Sequence, residues 1–180
     1  MDSTKQNVGK IVITALFAAL ACVATMIIKV PTVGTNGYVN IGDTIVLLSA
    51  WMIGGVYGAL AAGIGSALSD FISGYGSYVP GTFVIKFLIA YLVFVTIKKA
   101  NTKDSKGMNV VAYIVSGVVA EVIMVLGYFL YESTLLGYGL GAVPSIGSNS
   151  IQGVTCLVLG FIAIFALEEA KVTKLVKKFV

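Results

Sequence analysis

Histidine and arginine are absent from this 180-residue chain, cysteine occurs twice, proline three times and tryptophan once, and charged residues make up only 11%. Without histidine there is no His-based metal centre and no Ser–His or Cys–His nucleophile. Cys22 and Cys156 each lie inside an apolar run, so they read as small buried hydrophobes and not as a disulfide framework. No segment matches G-x-x-x-x-G-K-[ST], and GIGSALSD, which partly resembles a glycine-rich phosphate loop, lies inside an apolar run. The chain therefore carries no ATP-hydrolysing loop of its own.

What remains is apolar: 58% of residues are hydrophobic and the mean hydropathy is +0.98, whereas soluble domains carry about 25% charge. Such a chain belongs in a membrane. Apolar runs near the roughly 20 residues of a spanning helix occur at 11–28, 55–73, 80–97, 110–131 and 149–167, with a shorter run at 44–53. The fold class expected is all-α integral membrane, a six-helix bundle with a short second helix, as one domain over residues 1–180. All twelve basic residues are lysine, and ten of them flank these runs in three groups. Lys5 and Lys10 precede the first, Lys98, Lys99, Lys103 and Lys106 fill the link after the fourth, and Lys171, Lys174, Lys177 and Lys178 follow the last. Six crossings put these groups on one side, which the positive-inside rule makes cytoplasmic, with both termini there. The net charge of +4 is thus spent at the membrane surface and not on nucleic acid. The Lys-flanked start containing ALAC could suggest a cleaved signal, but the run stays apolar past Cys22 and is long enough to span, so it is read as the first crossing.

Ten helical residues rise only about 15 Å, half of a hydrocarbon core about 30 Å thick, so another element must complete the crossing at 44–53. Irregular backbone at membrane depth is tolerated only within protein or beside a watery cavity, so the preceding loop with Pro31, Gly34, Gly37 and Gly42 is expected to dip into the outer half, with Asp43 as N-cap. In the third run Gly54, Gly58, Ala62 and Ser66 form one small-residue stripe and Gly55, Ala59, Gly63 and Ala67 another, as expected of a closely packed central helix. The first run spreads small residues over more than one face, leaving internal packing and a partner helix both open.

Ionisable side chains at membrane depth are functional candidates. Asp43, Asp70, Lys86 and Glu132 map to the outer half, Glu121 lies nearer the middle and needs a partner, and Glu121, Tyr128 and Glu132 share a helix face, as do Asn149, Gln152 and Cys156. Polar outer halves over apolar inner halves suit a pocket open above and closed below. Tyr75, Tyr78, Tyr128, Tyr131 and Tyr138, with Trp51 at the opposite end, fit an aromatic belt, and some could stack on a flat ligand.

ALFAALA in the first run, GYVNIGD before the short one, GGVYGALAAGIGSALSDFISGY and then YVPGTFVIKFL together resemble the substrate-binding S components of energy-coupling factor vitamin transporters. The resemblance implies a non-enzymatic subunit of the bacterial cytoplasmic membrane, without cofactor or metal. Such a subunit captures a small vitamin under the loop after the first helix and delivers it with a transmembrane coupling protein and two ATPase subunits. Within the family the chain is most similar to the hydroxymethylpyrimidine or pyridoxine branch, then to riboflavin members. The resemblance places the substrate at Tyr38, Asn40, Asp43, Lys86, Tyr128, Asn149 and Gln152, and the coupling protein against Ala15, Ala18, Ala19 and Cys22. The competing expectations are a stand-alone carrier or channel, an intramembrane aspartyl enzyme using Asp43 and Asp70, and a purely structural subunit.

Overall fold

The computed structural model describes residues 3–100 and 106–180. Lys103 therefore lies outside the described residues. The apolar runs become α1 (Ser3–Ile27), α2 (Asp43–Met52), α3 (Gly55–Ile72), α4 (Val79–Ala100), α5 (Lys106–Leu130) and α6 (Val143–Glu169), followed by a single turn, α7 (Val172–Val176). Between α1 and α2 the chain makes a two-stranded ribbon, β1 (Val30–Pro31) against β2 (Tyr38–Val39), with Val30 opposite Val39 and Pro31 opposite Tyr38. Five helical segments are long and apolar enough to cross a membrane, and α2 is the short apolar sixth helix.

Several boundaries differ from the sequence expectation: α1 begins at Ser3 and not 11, and α5 at Lys106 and not 110. α6 begins at Val143, six residues before the expected 149, because the polar stretch PSIGSN is helical with Pro144 in its first turn, where a missing N–H costs nothing. Beyond α5 the chain continues through a π-helical turn, Tyr131–Leu135, and a 3₁₀ turn, Gly139–Ala142, where an open loop was expected. Asp43 is not the N-cap of α2: Gly42 holds that position, and Asp43 is the first helical residue, its side chain turned to α4.

α2 sits at the centre of the bundle and packs on α3, α4 and α6; α1 and α4 flank α3, and α5 links α4 to α6. Val46, Leu47, Leu48, Trp51 and Met52 of α2 are buried with Ile89 and Val93 of α4, Met124 of α5 and Ile164 of α6. Trp51 is therefore a core residue and not part of an interfacial belt: it is 7% exposed, donates its indole N–H to Ser116 Oγ at 3.2 Å, and lies against Tyr113 and Phe161. The α2–α3 corner is made by Gly54 and Gly55, both at positive φ (68° and 55°), which an L side chain would strain. Close packing of α1 on α3 rests on Gly65, where a Cβ would overlap the Ala18 carbonyl; this glycine is on neither expected stripe. Gly58 and Gly63 of the stripes pack on the α2 backbone and on Phe83 of α4.

Gly9 of α1 packs on Phe179 at the far end of the chain, and Lys10 lies over the Tyr57 ring, so Lys-bearing ends of the chain gather at one end of the bundle. At the other end Lys29 donates to Ser73 Oγ at 2.7 Å, and here the ribbon, the α3–α4 link and the α5–α6 link meet.

Candidate functional site

The site is built downward from this second end. Its floor is a buried polar cluster at the start of α2. Asp43, fully buried, receives Lys86 Nζ of α4 on Oδ1 at 2.5 Å and Gln152 Nε2 of α6 on Oδ2 at 2.6 Å. Lys86 also stands 5.0 Å from the centre of the Tyr128 ring. Gln152 uses its other end to accept the Asn40 backbone N–H at 2.7 Å, and the Asn40 side chain accepts the Gly42 N–H at 2.8 Å. One helix start, two facing helices and the ribbon exit are thus cross-linked through a single carboxylate. Such a cluster needs every member satisfied, because an unpaired charge at this depth costs several kcal/mol (about 3–5).

The walls come from α3, α4 and α5. Tyr38 donates its hydroxyl to Asp70 at 2.6 Å, drawing the ribbon onto α3. Burial first, and the negative Asp70 second, push the Tyr38 hydroxyl above its ordinary value, so it remains a donor. Thr82 and Tyr128 hydroxyls share a bond of 3.0 Å across α4 and α5. Tyr38, Tyr75, Tyr78 and Tyr131 run ring to ring at 4.5, 6.4 and 6.3 Å, an aromatic arc above the cavity.

The roof is held by Glu132, a residue the sequence placed in the outer half without a role. Its carboxylate is buried and accepts Thr35 Oγ1 of the ribbon turn at 2.9 Å, Tyr78 OH of the α3–α4 link at 3.0 Å and Ser145 Oγ of α6 at 2.5 Å. The π-helical turn that carries Glu132 is the kind of backbone irregularity that re-aims a side chain. Tyr138 OH receives the Asn36 N–H at 3.2 Å and adds a second tie.

Of the residues expected at the substrate site, Tyr38, Asn40, Lys86, Tyr128, Asn149 and Gln152 line one enclosed cavity, together with Ser66, Asp70 and Glu132. Asp43 does not line it and lies beneath, behind Lys86 and Gln152. The enclosed space is about 20 Å³, enough for about one water. A ring-sized molecule does not fit this space as it stands. Asp43 and Asp70 are bonded to different partners, Lys86 and Tyr38, and do not form the shared-proton pair that an aspartyl enzyme requires.

The expected docking residues divide. Ala15, Ala18 and Ala19 line a shallow apolar groove between α1 and α3, with Tyr57, Leu60 and Ile64. Cys22 departs from this expectation: it is buried, its Sγ 3.8 Å from Met26 Sδ, and it does not line the groove. Glu121 has no hydrogen-bond partner among the described residues and borders a crevice between α5 and α6, packed on Gly153.

A central half-length helix under a tethered ribbon, with a polar cavity at one end of an apolar bundle, is the arrangement of a membrane-embedded solute-binding subunit. Residues 5–169 match the family described as ECF-type riboflavin transporter, S component, and the chain belongs to that family. That family is a transporter's substrate-binding component and not an enzyme. An uncharacterised protein encoded in the gap 3′ region of Pyrococcus woesei is 35% identical over 139 residues, spanning 77% of this chain and 87% of that protein. A solved structure described as the S component of a bacterial ECF transporter superposes with a TM-score of 0.64 over 89% of this chain and 95% of that one, at 18% identity, a likeness of fold.

Proposed function

We propose that the chain is the high-affinity binding subunit of an ECF importer, that it captures a single-ring, water-soluble vitamin or precursor, and that hydroxymethylpyrimidine or pyridoxine is the cargo. The observation that carries this reading is the cavity itself: polar anchors on α3, α4 and α6, an aromatic arc above them, and a very small enclosed space. A single ring displaces less of the ribbon than a three-ring flavin. Riboflavin is the second reading, favoured by the family description. In both, the ring packs on tyrosines while Lys86, Asn149 and Gln152 meet its polar groups, and the ribbon with Tyr38 and Asn40 closes above. Burial of those polar groups supplies discrimination, since an analogue lacking a hydroxyl leaves a buried donor unpaired, at about 1–3 kcal/mol.

The chain is read as one membrane domain in the bacterial cytoplasmic membrane, with both termini inside. The groove lined by Ala15, Ala18 and Ala19 is the surface on which a coupling protein and its two ATPase subunits are brought to bear, supported by small residues that permit close helix approach. Mass spectrometry of small molecules released from the denatured, detergent-purified protein, followed by calorimetric titration, tests the reading. A stoichiometric vitamin names the cargo. An empty protein that also ignores added vitamins, or uptake by vesicles containing this chain alone, would move the assignment to a stand-alone carrier or a structural subunit. Asn149→Ala is expected to weaken binding roughly tenfold without loss of membrane insertion.

A further inference from the structure

Asp43, Asp70, Glu132 and Glu168 each accept a hydrogen bond from a side-chain donor, the last from Tyr113 at 2.8 Å. Glu121 does not. It is 6% exposed, and neither of its carboxyl oxygens has a partner among the described residues. It lies near the middle of the span Val110–Leu135, where bulk water does not supply the missing bond. The side chain rests across Gly153 of α6: a Cβ there would stand 3.0 Å from Glu121 Cβ and 3.1 Å from Oε2. The carboxyl is thereby the floor of a crevice of about 310 Å³ between α5 and α6, which shares no residue with the cavity under the ribbon. The crevice walls are aliphatic, formed by Val118, Val122, Val125, Leu126, Val154 and Leu157. Val118, Val122, Leu126 and Val154 are exposed, so the crevice opens on the outer face of the bundle. The other polar side chain bordering it, Ser150, is already bonded to the Ile146 carbonyl at 2.7 Å.

We infer that this crevice binds a membrane-soluble aliphatic amine, with its nitrogen on Glu121 and its chain along the valines and leucines. The site goes beyond the vitamin cavity and is independent of which vitamin that cavity takes. A carboxyl in hydrocarbon needs a polar partner in either protonation state. An amine answers both: as an alkylammonium it pairs with the carboxylate, and as the free base its lone pair takes the proton of the acid. Either route ends in the same pair without net charge, joined by charge-assisted N–H···O bonds. An alcohol offers one neutral donor, and a second carboxylate is repelled. A phospholipid headgroup stays at the interface, about 15 Å from the midplane, so the occupant is a molecule that enters the hydrocarbon whole. The volume is at the lower end of small-molecule sites. A partner helix is disfavoured because close approach needs a stripe of small residues, and the one glycine here is already covered by Glu121.

The test is saturable binding of radiolabelled decylamine to phosphatidylcholine vesicles containing the full chain, with protein-free vesicles setting the partition background. The expected result is one site per chain, for which decanol and decanoate compete at least roughly tenfold less well. Glu121→Gln should weaken the saturable component at least about tenfold. Val154→Phe fills the crevice from an exposed position without touching the carboxyl and should abolish that component, so the test stands even where Glu121→Gln folds poorly. Monodisperse elution in detergent verifies the fold of each variant. Binding to wild type that does not saturate, decanol competing as well as the amine, or folded Glu121→Gln or Val154→Phe binding as wild type does, overturns the inference. None of these results bears on the vitamin cavity, whose own titration stands apart.

Discussion

The Asp43–Lys86 pair offers the sharpest test of how the bundle is held together. Both side chains are almost wholly removed from solvent (0% and 3% exposed), and they join α2 to α4 across 43 positions of sequence. Asp43→Asn takes from the Lys86 ammonium its hydrogen-bonded counter-charge and leaves it the Tyr128 ring and the more distant Asp70 and Glu121 carboxyls, and Lys86→Met leaves the Asp43 carboxylate with the Gln152 amide as its side-chain donor among the described residues. Removing one partner of a buried pair costs about 3–5 kcal/mol, whereas replacing both by neutral groups of similar volume is close to neutral or stabilising. For a chain of this size 1 kcal/mol corresponds to about 2–4 °C in Tm, so each single variant should unfold roughly 6–20 °C below wild type. The double variant Asp43→Asn with Lys86→Met should recover most of that loss, because no uncompensated charge remains. Ligand-free unfolding in detergent, followed by fluorescence or by loss of monodisperse protein on heating, supplies all four corners of the cycle. Single variants within about 2 °C of wild type, or a double variant as poor as the sum of the singles, would refute the claim that this pair is desolvated and mutually dependent.

Three other outcomes are expected. Glu132→Gln turns one of the two oxygens that tie Thr35, Tyr78 and Ser145 together into an NH2 donor and removes the charge, and should speed ligand dissociation roughly tenfold or more in stopped-flow measurements, with little change in the association rate. Gly65→Leu drives a side chain into the Ala18 carbonyl and should destabilise by about 1–3 kcal/mol or more by forcing α1 from α3, seen as a lower Tm, whereas Gly147→Ala, in open space on α6, should not. Glu121→Leu removes an unpartnered buried carboxyl and should raise Tm by roughly 2–4 °C or more while leaving the Asp43 cluster intact.

The spans were legible because apolar length is a local property: a run of suitable length announces a crossing wherever it ends up in the bundle. The shortness of α2 and the irregular GYVNIGD stretch before it were legible for the same reason, whereas Tyr38, Asn40, Lys86, Asn149 and Gln152, which line one cavity, were brought together by the family resemblance and not by any local pattern. Pairing was not. Nothing in the local pattern tells Asp43 to meet Lys86 instead of capping its own helix, since a carboxylate at a helix start serves either purpose and only tertiary packing decides. Glu132 was placed in the outer half but given no partners, because its three donors come from segments 97, 54 and 13 residues away. Trp51 was misplaced because a tryptophan near a helix end suits an interface and a core equally well until its neighbours, Ser116 and Phe161, are known.

The position of that single tryptophan gives the molecule two separable optical reporters. Trp51 lies at the far end of α2 from Asp43, about 12 Å along the helix axis, clamped between aromatic neighbours and hydrogen-bonded to Ser116. Its emission follows the integrity of the apolar end of the bundle. The cavity and its roof hold Tyr38, Tyr78 and Tyr128, whose near-ultraviolet absorption and dichroism follow events around the ligand. Opening of the roof is thus visible in the tyrosine bands of an unlabelled sample while the indole band stays constant, and only global unfolding moves both.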